Sequence, residues 1–191
     1  MPKATMSGGP LRPIKDCYLK IPIGNVAGVG AKPYIIVFNV LPDISDQKGA
    51  AYNDETVIAR SSPLKTYSTS ENRSISLGIH FVVSRPTDVD TNLRHLRAIQ
   101  SAVYPREGFG VPFLPPPICR LRCGDLLANK ISGASGEVCV VLKNYSVKFP
   151  TEVSWDEITF VPFKFDVDTS WDIVYKTENL PGQRRIFSYR A

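Results

Sequence analysis

From Ser74 to Val83 the chain reads SISLGIHFVV. Ile75, Leu77, Ile79, Phe81 and Val83 alternate with Ser74, Ser76, Gly78, His80 and Val82. Successive side chains of a strand point to opposite faces, so this alternation commits the segment to a sheet with one apolar face. A helix, with its period of 3.6, would scatter the same residues around its axis. The run ahead of it, RSSPLKTYSTSEN from Arg60, is polar, basic and interrupted by a proline, and it reads as an irregular loop.

The rest of the chain adds strands and a single helix. PYIIVFNV, between Pro33 and Pro42, is a β-branched run, and residues 41–52 read as loop. Glu55–Ala59 is a short candidate strand. Leu93, Leu96, Ile99 and Val103 recur at helical spacing, Thr87 or Asp88 can cap them, and Pro105 stops the helix. Glu107–Pro117 is an extended connector ending in three prolines, with strands expected over Ile118–Leu127 and Glu137–Lys148. Ile158–Asp168 alternates again, with Val161, Phe163, Phe165 and Val167 facing inward. Five to seven strands and one helix result, and their short connections imply antiparallel pairing. The expected divisions are an extended N-terminal arm over 1–32, a β domain over 33–176 with its helix near 88–104, and a basic C-terminal tail over 177–191.

The 191 residues carry a net charge of +5, and its distribution is uneven. Lys3, Arg12, Lys15 and Lys20 against Asp16 charge the first twenty residues. Arg184, Arg185 and Arg190 against Glu178 charge the end, and the body between is neutral. Dedicated nucleic-acid binding requires a basic face with interleaved aromatics, not basic termini. No apolar run is long enough to span a bilayer, and the first residues lack a signal-peptide core, so synthesis in the cytosol is expected.

Candidate chemistry is sparse. Gly24, Gly28 and Gly30 lack the lysine and following helix of a phosphate loop. Asp166, Asp168 and Asp172 match no calcium loop, and Cys17, Cys119, Cys123 and Cys139 with His80 and His95 make no zinc spacing. The cysteines read as buried free thiols. No nucleophile–base pair stands out, so neither catalysis, nor a metal, nor a cofactor is expected. The outward residues Ser74, Ser76, Gly78 and His80 are small or polar, and they would suit a face turned to solvent, a lumen or another subunit.

Several segments, in this order, resemble the tail-tube and tube-initiator proteins of contractile bacteriophage tails and related injection machines. They are ARSSPLKTYS, NRSISLGIHFV, LRAIQSAVYP, PPPICRLRCGDLL and VCVVLKNYSVKFP followed by FVPFKFDVDTSWD. The resemblance spans about Tyr34–Asp172 and lies in pattern and order. The helix–YP–PPP–strand run is more similar to a baseplate hub or tube initiator than to a major tube subunit. The resemblance implies a mainly β fold, a small antiparallel β-sandwich or half-barrel with one flanking α-helix. It also implies a ring of six copies that nucleates or extends a tail tube, giving DNA a channel without reading its sequence. Expected partners are further copies of the chain and the adjacent tail-tube and baseplate proteins, with no membrane. The expected location is the virion, after synthesis in the host bacterial cytoplasm. Ser74, Ser76, Gly78 and His80 become candidate lumen or subunit-facing positions, and Lys3, Arg12, Lys15, Arg184 and Arg185 candidate assembly-arm positions. The competing readings are another β-rich virion or binding module, and a small β-barrel enzyme whose site the sequence does not display.

Overall fold

A computed structural model describes residues 16–23, 33–56, 58, 61–108, 111–124, 126–127 and 136–175. In chain order the elements are β1 (Cys17–Ile21), β2 (Tyr34–Val37), β3 (Asp43–Gln47), β4 (Ala50–Glu55), β5 (Leu64–Ser70) and β6 (Ser74–Val82), then α1 (Pro86–Ser101), β7 (Arg106–Gly108), β8 (Val111–Leu114), β9 (Cys119–Cys123), β10 (Val138–Lys148) and β11 (Lys164–Ile173). Seven strands form one sheet in the order β2-β1-β9-β10-β11-β6-β3, while β4–β5 and β7–β8 are separate hairpins. Every pairing is antiparallel.

The alternation of β6 sets the architecture. Ile75, Leu77, Ile79 and Phe81 are buried on one face, where they meet Leu19 and Ile21 of β1, Leu121 of β9, Val140 and Leu142 of β10, and Phe165, Val167 and Trp171 of β11. Removing that much apolar surface from water is the main driving force holding the sheet together. Helix α1 supplies Leu96, Ala98 and Ile99 to the same cluster. Tyr34 of β2 and Phe81 of β6 stand first and sixth in the sheet order, yet both approach the His95 ring of α1, with centroids 5.6 and 6.2 Å away. The sheet therefore curls around the helix as an open half-barrel; its edge strands β2 and β3 do not pair with each other.

Local chemistry explains the helix ends. Pro86 occupies the first helical turn, where its missing N–H is no loss. The Asp88 carboxylate accepts the backbone N–H groups of Ser84 (3.1 Å) and Arg85 (2.9 Å). Arg85, extended at φ −137°, holds the cap position expected for Thr87 or Asp88. The buried stripe runs through Val89, Asn92, Leu96 and Ile99, with Leu93 only half-buried. Asn92 is tolerated there because its side-chain amide donates to the Val82 carbonyl.

Several sequence expectations need correcting. The N-terminal arm over 1–32 does not hold throughout, because Cys17–Ile21 is β1, an interior strand with Leu19 fully buried. Residues 41–52, read as loop, contain β3 and the start of β4. The irregular run after Arg60 contains β5. The second alternating strand starts at Lys164, not Ile158, and continues through Trp171 to Ile173. Phe163 consequently lies outside it and is exposed, while Val161 and Pro162 are buried. Cys17, Cys119 and Cys123 are buried thiols as expected, but Cys139 is exposed.

Candidate assembly surface

One face of the sheet is sealed by the core and α1; the opposite face is polar. Register places Asp43 beside Gly78 and Ser45 beside Ser76 on one side, and Asp168 beside Gly78 and Ser170 beside Ser76 on the other. These residues floor a depression of about 460 Å³ that reaches Asn144 and Ser146 of β10. A β-carbon at Gly78 would sit 3.4 Å from the Asp43 β-carbon and 3.5 Å from the Asp168 carboxylate, ordinary contact distances, so the floor has room for a small side chain there.

His80 occupies the next outward position on β6. Its Nδ1 lies 2.7 Å from Asp166 Oδ1, and its Nε2 lies 3.2 Å from Asp43 Oδ2. The ring thus ties together three adjacent strands, β3, β6 and β11. The hydrogen bond to Asp166, aided by that to Asp43, raises the imidazole pKa above its ordinary value against the opposing pull of desolvation. His95 goes the other way, because burial holds its pKa down, and its Nδ1 lies 2.8 Å from the Tyr34 hydroxyl. Further along the polar face Lys143 pairs with Asp172 and Lys148 with Asp168. The register shift of β10 between Leu142 and Asn144 puts Asn144 on that face beside Lys143.

Across the sheet, β1 and β9 carry Lys20 and Arg120 outward around Glu137, while Arg122 pairs with Asp16 at 3.3 Å. The Glu137 side chain is only 6% exposed, with Lys20 Nζ at 2.5 Å and Arg120 at 3.5 Å, and the Tyr18 hydroxyl donates to it at 2.7 Å. Burial pushes the Glu137 carboxyl up, but the hydrogen bonds from Lys20 and Tyr18 outweigh it and leave the pKa below its usual value. The polar face is therefore graded, basic along β1 and β9 and richer in acids along β3, β6 and β11.

Two features project. The β4–β5 hairpin continues the β3–β6 pair beyond the sheet, closed at its base by Glu71 N–H donating to the Gly49 carbonyl. Neither of its strands has a buried residue, and its main aromatic contact is internal, Tyr52 edge-on to Tyr67 at 5.9 Å. The second projection is the turn between β10 and β11. The pairing of Asp156 and Phe163 N–H groups with the Val161 and Ser154 carbonyls fixes it, and the Asp156 carboxylate accepts from the Thr159 N–H and hydroxyl. At its tip Ile158 and Phe160 are 88% and 77% exposed.

Of the sequence-derived positions, Ser76 is exposed and Ser74, Gly78 and His80 are half-buried, all on the polar face. Lys3, Arg12, Lys15, Arg184 and Arg185 lie outside the described residues, as does the Gly24–Gly30 stretch. No local spacing pairs His80 with a partner; Asp43 and Asp166 are 37 and 86 residues away and meet it through sheet register. Glu137 carried no signal at all, since its burial depends on strands more than a hundred residues apart. Among the described residues no cluster of three His, Cys, Asp or Glu side chains could hold a metal ion, and no helix is long and apolar enough to cross a membrane.

No family model and no curated protein matches the sequence. Among solved structures the chain is similar to one described as the tail of an empty GTA particle with C6 symmetry, at 10% identity and a TM-score of 0.38, covering 86% of this chain and 96% of that one. At that TM-score the likeness carries no argument about fold or function.

Proposed function

We propose that this chain is a structural subunit of a bacteriophage tail, a ring component of the baseplate hub or tube initiator that nucleates or extends the tail tube around a channel for DNA. The observation that carries this reading is the β4–β5 hairpin. Two strands without a buried residue add nothing to the core, and an isolated two-stranded hairpin is at best marginally stable in water. A hairpin of this kind acquires its purpose by docking on a neighbour. The segment order that resembles tail-tube and tube-initiator proteins supplies the class of assembly.

Two further features support the ring. Both edges of the seven-stranded sheet, β2 and β3, are open to a neighbouring copy among the described residues. Along β3, β6, β10 and β11 the polar face carries Asp43, Asp166, Asp168 and Asp172 against Lys143, Lys148 and Lys164. Such a near-neutral wall neutralises few phosphates and lets DNA slide past it. The proposed function needs no covalent chemistry, and both His80 ring nitrogens are already engaged by carboxylates. Electron microscopy of assembled particles tests the reading, with a cyclic ring, six-fold by expectation, as the supporting result. A strictly monomeric protein, or a two-fold dimer as the sole state within the particle, defeats it.

A further inference from the structure

We propose that the turn between β10 and β11 is a lateral plug that seats in an apolar hollow on the next copy of this chain, at the opposite end of α1. This deepens the ring reading and rests on it.

The turn has the build of a binding knob. Ile158 and Phe160 stand almost free of the molecule although the turn beneath them is pinned by four hydrogen bonds from Asp156, Thr159, Phe160 and Phe163 N–H groups. Phe160 has φ +51°, an uncommon and unfavourable setting for an aromatic residue. Backbone strain of this kind persists where surrounding structure enforces it, and it concentrates at functional sites. Here its effect is to hold a phenyl ring in water. Residues 149–163 also contain three acids, Glu152, Asp156 and Glu157, and no cation.

The complementary hollow lies where β1 ends and α1 stops. Ile21, Pro22, Ile23, Tyr104, Pro105 and Pro117 line a space of about 230 Å³, enough for one large apolar side chain. Ile23, Tyr104 and Ile118 are exposed around it. Arg97 lies one helical turn before Ser101, which lines the hollow, and so sits on the same helix face beside it. An acidic apolar knob thus matches an apolar hollow with Arg97 beside it, and complementarity of this kind sets partner and register.

A chain cannot fill its own hollow. The knob packs beside Pro86 and Val89 at the start of α1, while the hollow adjoins Ser101 and Tyr104 at its end. Sixteen helical residues separate them by roughly 24 Å. Two different patches on one subunit make a head-to-tail contact, which closes into a ring when the rotation permits.

Cross-linking of the full-length protein tests the contact. In a Cys139→Ser background, which removes the exposed thiol, Phe160→Cys and Tyr104→Cys proteins are mixed and treated with a short bismaleimide. The 160–104 heterodimer is expected to dominate over 160–160 and 104–104 products. Arg97→Glu is expected to weaken self-association about tenfold, and adding Glu157→Arg to restore it. Circular dichroism confirms that each variant is folded. Failure of the 160–104 product to exceed the like–like products overturns the plug; if rings are still seen by electron microscopy, the ring reading survives alone. A dominant 160–104 product within open filaments upholds the plug and removes the closed ring.

Discussion

His80 and His95 sit on opposite faces of the same sheet region and titrate in opposite directions. The carboxylate partners of His80 raise its folded pKa above the ordinary value of about 6.5, so its stabilising contribution is complete below that pH and is lost as pH rises through the folded pKa. Burial lowers the pKa of His95, which costs stability as pH falls below the unfolded value. His95 is common to wild type and His80→Gln, so its effect cancels in their difference. Urea unfolding across about pH 6 to pH 9 is expected to show the wild-type advantage over His80→Gln largest at the acid end and shrinking upward. An advantage that grows with pH would exclude the Asp166–His80–Asp43 bridge. On the core side, Phe81 stacks on Phe165 with centroids 5.0 Å apart and is almost fully buried. Phe81→Ala is expected to cost roughly 3–5 kcal/mol in chemical denaturation. A loss under about 1 kcal/mol would mean that the site collapses and the ring is not a core element.

At the scale of elements, burial separates the parts that fold the chain from the parts that project. β6 and β11 are read easily because each has one wet and one dry face. β3, β4 and β5 are nearly all exposed, so no apolar period marks them, and they were legible only as loop. Trp171 shows the converse. It is fully buried, and its indole N–H donates to the Thr169 hydroxyl, which in turn donates to the Leu77 carbonyl. That satisfied polar chain allows Thr169 into the core and extends the buried stripe of β11 past the point where its aliphatic alternation ends. The hairpin can be excised where its base is already closed. Replacing Ala50–Ser70 with Asn-Gly between Gly49 and Glu71 is expected to keep the thermal midpoint within a few degrees and to abolish assembly. Global unfolding of that variant would show that the hairpin stabilises the subunit itself.

For the whole molecule, the grading of the polar face and the two projections give direction. The hairpin leaves from the β3–β6 end of the sheet, and the apolar turn and hollow lie at opposite ends of α1. The assembly role proposed for the basic residues ahead of β1 rests on charge, because steering towards acidic neighbours acts at a distance and weakens with salt. Removal of Met1–Lys15 stops short of β1. It is expected to leave the unfolding midpoint unchanged while lowering incorporation into particles, most visibly at high ionic strength. A truncated protein that unfolds would instead assign those residues to the core.

Fold class, the burial of Ile75, Leu77, Ile79 and Phe81, the existence of α1 and the burial of the Cys119–Leu121–Cys123 face are each written in a short local period of the sequence. Val83, of the same alternation, instead falls beyond the end of β6 and is only half-buried. Strand order, the inclusion of β1 in the sheet and the bridges at His80 and Glu137 were decided only by tertiary structure. Tyr18, Lys20 and Glu137 meet because β1 and β10 flank β9, and Asp43, His80 and Asp166 meet because three strands align in register. Pairing across such separations depends on which apolar faces can be buried together, a property of the whole chain that no window of its sequence contains.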